Sequence, residues 1–144
     1  MEIKSYTATI EVAQSAEEVF HHINEVSKWW SKDFEGSSTE LNDEFVICHS
    51  GRHYSRQKLI EVISGRKVVW LVTQSILDWL KTDINEWTNT KMIFEITSKD
   101  DKTILRFTHE GLVPGKECFT RCEQGWNMVI KESLFNLITN GKAI

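Results

Sequence analysis

Proline occurs once in these 144 residues, at Pro114, and cysteine three times. A proline-rich linker, a fibrous repeat or a low-complexity segment does not fit such a chain. Its apolar content of 40% and charged content of 26% are ordinary for a globular protein. One domain spanning residues 1–144 is expected, long enough to bury a core. An odd number of cysteines without a secretion signal argues for thiols rather than a disulfide scaffold. The N-terminal MEIKSYTATIEV has acidic and polar residues where a signal peptide carries an apolar core, and no run approaches a membrane span. A cytoplasmic location is therefore expected. Lysine and arginine are scattered and the formal net charge is -4. Without a concentrated basic face, neither nucleic acid nor an anionic membrane is an expected partner. Also missing are a glycine-rich phosphate loop, a nucleophile elbow, an ordered Ser/His/Asp set and a paired-carboxylate motif. No catalytic residue, cofactor or metal site is assigned, and an enzymatic reading has no motif behind it.

What the chain does have is tryptophan, six residues of it. Rings of this size are costly to expose and large enough to line a cavity. Residues 4–12 alternate, with Tyr6, Ala8, Ile10 and Val12 on one face, which predicts a half-buried strand. Ser15 followed by Glu17 and Glu18 marks the start of a short helix with Val19, Phe20 and Ile23 as its apolar side. A break near Asn24 precedes a second short helix carrying Val26, Trp29 and Trp30. A polar connection leads to FVICHS, a turn at Ser50 and Gly51, RQKLIEVIS, a turn at Gly65, and KVVWLVT. Links this short require an antiparallel meander. Residues 74–88 mix helical spacing with loop formers and are expected to form an irregular excursion containing Trp79 and Trp87. TKMIFEITSKDDKTILRFTHEG then reads as a hairpin, with Met92, Phe94 and Ile96 on one arm, Leu105, Phe107 and His109 on the other, and SKDDK as the turn.

The stretch from Gly115 to Gly141 reads as one long amphipathic helix. Phe119, Cys122, Trp126, Val129, Ile130, Leu134, Leu137 and Ile138 recur at steps of three and four, and Asn140–Gly141 is a natural stop. The predicted class is α+β: a curved antiparallel sheet wrapped around this helix, with two short helices after the first strand.

The same residues carry a resemblance. The element order, the Trp29–Trp30 pair, EWTNTKMIFEI, the THEGL of residues 108–112, and Gly125–Trp126 followed by SLFNLITNGK resemble the AHSA-like proteins, homologues of the heat-shock chaperone ATPase activator. These belong to the START-related, or SRPBCC, superfamily, whose helix-grip fold is also that of the birch-pollen allergen. The resemblance implies that fold over nearly the whole chain. It implies two kinds of partner, a small hydrophobic ligand enclosed between sheet and helix, or a chaperone, and a monomer or homodimer.

From the residues themselves, an aromatic set drawn from every part of the chain is the candidate lining of a pocket: Trp29, Trp30, Phe45, Tyr54, Trp70, Trp87, Phe94, Phe107, Phe119 and Trp126. Simple packing is the alternative for each member. His109 shares a face with Leu105 and Phe107, so its imidazole meets a ligand, serves a cavity enzyme as its catalytic group, or is a satisfied core group. Cys118 and Cys122 lie one turn apart. With His109 or His49 they suggest a soft metal site, but buried small side chains account for them better. Glu61, among Leu59, Ile60, Val62 and Ile63, is expected on the solvent face, the alternative being an inward carboxylate paired with Arg56 or Arg106. Gly125 beside Trp126 suggests close backbone approach or a local opening.

Overall fold

The computed structural model describes residues 4–49 and 52–142, the side chain of His49 excepted. The turn expected at Ser50 and Gly51 therefore lies outside the described residues. Among the described residues seven strands form one antiparallel sheet in the order β1-β7-β6-β5-β4-β3-β2. They are β1 (Tyr6–Val12), β2 (Phe34–Gly36), β3 (Glu44–His49), β4 (His53–Ile63), β5 (Lys67–Leu77), β6 (Lys91–Lys99) and β7 (Lys102–Glu110). Two short helices, α1 (Ala16–Ile23) and α2 (Val26–Trp29), separate β1 from β2. The α+β helix-grip architecture expected from the sequence is present.

Alternation sets the faces. In β1 the inward residues are Tyr6, Ala8, Ile10 and Val12, every other one being exposed. Register then brings the inward residues of β1, β7 and β6 into rows: Ala8, Phe107 and Phe94 form one, and Ile10, Leu105 and Ile96 another. The β6–β7 turn is tighter than SKDDK suggests. Lys99 pairs with Lys102, and Asp100 adopts a positive φ of 56° between them. Register shifts at Arg56/Gln57 and Leu59/Glu61 mark irregularities between β4 and β5, the longest strands, and bulges of this kind bend a sheet. Glu61 stands on the solvent side and pairs with Lys67 at 3.5 Å, rather than with either arginine.

Helix α1 opens with a full capping box, in which the Ser15 hydroxyl accepts from the Glu18 N–H and the Glu18 carboxylate accepts from the Ser15 N–H. The closing helix is less regular than its sequence stripe suggests. It begins at Phe119, four residues beyond Gly115, and runs as α3 (Phe119–Met128), a π-helical segment (Val129–Leu134) and α4 (Phe135–Asn140). Gly141 ends it at φ 78°, the left-handed cap that favours glycine. The π segment has a reason in the spacing. Cys122, Trp126, Ile130 and Leu134 are all buried and each lies four residues after the last. In a regular α-helix, steps of four drift by about 40° each, so the fourth residue would leave the sheet. Wider π turns rotate less per residue and keep Leu134 on the buried line.

Helix and sheet meet through a core of fully buried side chains, among them Trp70, Phe45, Phe94, Phe107, Leu59, Met92, Leu105, Ile130 and Leu134. The Tyr6 hydroxyl donates to Asn127 Oδ1 at 2.5 Å, and the Ser133 hydroxyl donates to the Trp29 carbonyl at 2.6 Å. Burial, then the Glu123 charge, pushes the Tyr6 hydroxyl up to about 12. One inward position contradicts its surroundings. Gln57 is fully buried between Phe45 and Val72, and neither its Oε1 nor its Nε2 has a hydrogen-bond partner among the described residues. Replacing it by leucine removes two desolvated polar atoms with little change of shape. Gln57→Leu should stabilise the fold by about 1–2 kcal/mol in urea denaturation. A loss of stability instead would mean that the amide is paired in solution.

Candidate functional site

Open space lies at one end of the sheet–helix sandwich. A pocket of about 510 Å³ opens there, bordered by Trp29, Trp30, Arg52, His53, Trp79, Trp87, Arg121, Cys122, Gly125, Trp126, Met128, Val129 and Ser133. Five of the six tryptophans border it, and the sixth, Trp70, lies behind Trp30 in a parallel stack with centroids 5.9 Å apart.

One wall is the excursion between β5 and β6. Its first four residues continue β5 to Leu77, and only residues 78–90 are irregular. What holds this segment is Glu117, just ahead of α3. Its carboxylate accepts the N–H of Lys81 (2.9 Å), the N–H of Thr82 (3.0 Å) and the Thr82 hydroxyl (2.9 Å). Those bonds, the Thr82 N–H foremost, hold the Glu117 carboxyl below the usual carboxylate range. A second clip runs the other way, the Cys118 N–H donating to Glu86 Oε1 at 3.2 Å. Trp87 is thereby laid flat against Trp126, with centroids 5.8 Å apart and planes 10° from parallel. Trp30 completes the aromatic floor, 5.0 Å from Trp126 and 6.5 Å from Trp87.

The opposite wall is the closing helix. A Cβ built on Gly125 meets nothing within 4 Å, so this glycine widens the pocket and does not serve a close backbone approach. Cys118 and Cys122 form a disulfide, with Cα atoms 5.7 Å apart, whereas the residue count favours thiols. One helical turn places two cysteines within bridging range, and an odd total says nothing about a local pair. Cys48 is the free cysteine among the described residues. No group of three or more His, Cys, Asp and Glu side chains converges as a metal set among those residues.

His109 is behind this floor, fully buried, with Trp87 packed edge-on to its ring at 4.8 Å. Trp126 Nε1–H donates to its Nδ1 at 3.0 Å, and its Nε2 lies 2.8 Å from Thr90 Oγ1. An indole nitrogen only donates, so Nδ1 accepts and the neutral imidazole carries its proton on Nε2. That proton goes to Thr90 Oγ1, whose own proton goes to the Trp87 carbonyl at 2.5 Å. Every polar atom in the chain is used. His109 therefore has no nitrogen left to meet a ligand or move a proton, and it locks strand β7 to the helix and to Trp87. Burial, assisted by the His53 charge, pushes its pKa down to about 3.

Of the aromatic set proposed from sequence, Trp29, Trp30, Trp87 and Trp126 border the pocket. Phe45, Trp70, Phe94 and Phe107 are core residues in the filled part, and Phe119 is half-buried outside the lining. Tyr54 is on the other face of the sheet. It pairs with Cys48 and with the exposed Ile76, while Ser55, Gln57 and Leu59 take the inward positions of β4. Arg52, His53, Trp79, Arg121, Met128 and Ser133 complete the lining without having been singled out. Trp79 alone carried a signal, as a tryptophan named in the irregular excursion. Arg52 and Arg121 look like any surface arginine until the fold places them.

The lowered pKa of His109 has a consequence for stability. Between pH 6.5 and about 3 the unfolded chain binds a proton that the folded chain refuses, so acid favours unfolding. Stability should be fully present above pH 6.5 and fall as pH drops, at no more than about 1.4 kcal/mol per unit from this group. His109→Asn, which keeps an acceptor for Trp126, should flatten the slope measured by urea denaturation from pH 7 to 5, a range above most carboxylate titration. An unchanged slope would mean that His109 titrates normally in the folded state.

Comparison with known proteins agrees with this fold. Residues 14–139 match the family model described as Activator of Hsp90 ATPase homolog 1-like protein. The solution structure of the Aha1 dimer from Colwellia psychrerythraea superposes with a TM-score of 0.75, at 18% identity over 99% of both chains. PFC0360w, an HSP90 activator from Plasmodium falciparum, gives 0.63 at 20% identity over 93% of each chain. CalU16 from Micromonospora echinospora gives 0.65 at 11% identity, over 95% of this chain and 76% of its own. At such identities these structures share the fold alone. No curated protein sequence matches the chain. No helix among the described residues is long and apolar enough to cross a membrane. The family match spans most of the sequence and agrees with the fold, so this chain belongs to the Activator of Hsp90 ATPase homolog 1-like protein family.

Proposed function

We propose that this protein binds a small, largely apolar ligand in the tryptophan-walled pocket at the end of its sheet–helix sandwich. The observation that carries this reading is the pocket itself, about 510 Å³ in volume and bordered by five tryptophans. That volume is within the range of about 300–1,000 Å³ typical of small-molecule sites, which are likewise apolar with a few polar groups at fixed positions. The pocket exists because the sequence spends structure on it. The excursion is clipped to the helix by Glu117, and a helical glycine, which costs about 1 kcal/mol relative to alanine, stands where a side chain would intrude. His53 of the lining is hydrogen-bonded to Ser55 Oγ at 2.8 Å, but that serine is fully buried and outside the lining, and both nitrogens of His109 are occupied. Binding rather than turnover is the activity supported.

Gly125→Leu tests this by filling the space from the helix side. The variant should fold at least as stably as the parent and lose neutral aromatic binding, with 2-naphthamide affinity falling by about tenfold or more in calorimetric titration. Unchanged affinity would remove the pocket as the binding site. Native mass spectrometry of protein purified from cells would in addition show whether a small molecule is retained.

A second reading, action on a chaperone ATPase, is supported by the family match and by the fold shared with the Plasmodium falciparum HSP90 activator. It predicts that the purified chain raises the ATPase rate of an Hsp90-type chaperone. No change in rate at saturating concentration would end that reading and leave the pocket untouched.

A further inference from the structure

We infer that the pocket selects aromatic anions: a flat apolar ring system against the tryptophan floor, with its acidic group held by Arg52 and Arg121. This deepens the binding reading above and rests on it.

The chain carries a formal charge of -4, yet the charged residues bordering its pocket are both arginines, accompanied by His53, and no aspartate or glutamate is among them. The sign of the lining therefore runs against the sign of the whole. Arg52 directly precedes β4 and Arg121 stands in the first turn of α3, so two separate parts of the chain deliver the cations to one opening. Arg52 is oriented by Asp78, but that bond, at 3.0 Å, engages Nε and leaves both terminal nitrogens of the fork. Arg121 is held over the Trp79 ring at 4.9 Å. A ring face attracts a guanidinium without neutralising it, and among the described residues Arg121 has no ion pair. Glu86 and Glu117, which stand on the neighbouring segments, are engaged by the N–H groups of Cys118, Lys81 and Thr82.

Shape argues for the aromatic part. Trp87 and Trp126 lie parallel and Trp30 is tilted by 34° and 44° against them, so indole rings and not flexible aliphatic chains make this wall of the pocket. Planar ring systems stack on such a surface, and fork-shaped guanidinium groups at the rim match a carboxylate, sulfonate or phosphate. A cationic ligand of the same shape meets like charge in the same lining, from Arg121 above all, since Arg52 is paired with Asp78.

The test uses the full chain and three probes of one skeleton: 2-naphthoate, its neutral isostere 2-naphthamide, and 2-naphthylmethylamine. Calorimetric titration at pH 7.5 and low salt should give 2-naphthoate about a tenfold higher affinity than the amide, with the amine weakest. Arg52→Gln and Arg121→Gln should each lower naphthoate affinity by about threefold to fivefold without changing the amide, and the double variant should make the two equal. Arg121→Lys, which keeps charge but not the fork, should fall between parent and Arg121→Gln. Raising salt should weaken the naphthoate and leave the amide unaffected. If the amide binds as tightly as the naphthoate, or if the double variant retains full naphthoate preference, anion selection is overturned while the binding reading stands. If none of the three probes binds, both are overturned.

Discussion

The hydrogen bond from Trp126 Nε1–H to His109 Nδ1 is the contact on which the remaining architecture turns. It is made in a site from which water is excluded, so leaving either partner alone would cost far more than the bond contributes in water. One histidine on β7 thus sets the depth and rotation of the closing helix. Through Thr90 the same histidine reaches the Trp87 carbonyl and fixes the far wall of the pocket. Sheet, helix and excursion share one polar spine, and the low pKa of the imidazole is its electrostatic signature.

Around that spine the interior divides into two parts. Towards the middle of the sheet the large rings interlock: Trp70 is 4.9 Å from Phe45 and 4.7 Å from Phe94, and Phe94 is 4.9 Å from Phe107. Nothing can enter there without displacing a close-packed core. At the end of the sandwich the helix carries a glycine and the excursion is held by its Glu117 clip. Trp30 faces both parts, stacked on Trp70 on one side and bordering the pocket on the other. A helix-grip fold can therefore be solid in the centre and still keep a ligand-sized space.

The π segment belongs to the same compromise. Its wider turns hold Ile130 and Leu134 on the sheet while Val129 and Ser133 border the pocket, so one stretch of helix serves packing and opening together. Such segments are rare in α-helices and often occur beside functional sites. Here a stripe with a spacing of four explains it.

Much of the fold was legible from residue order alone. Strict alternation in β1, β6 and β7, the Ser15 cap, and the helical stripe ending at Gly141 are local signals, each contained in a dozen or so neighbouring residues. They determined the elements, their inward faces and the α+β class. The pocket was legible only in part, as a surplus of tryptophan. Which rings border it depends on distances that span the sequence. Glu117 reaches back 36 residues to Lys81, and Trp126 meets His109 across 17. A residue's face follows from its neighbours, and that was enough to place Phe94 and Phe107 inward. It was not enough to tell filled interior from open space, because volume is set by how elements pack against one another and not by any of them singly. Tyr54, on the wrong face, shows how far parity can be carried across a turn. Arg52 and Arg121, unremarkable in sequence, came to border one opening only when tertiary structure brought the residue before β4 and the first turn of α3 to the same pocket, and charge at a site is a property of that juxtaposition.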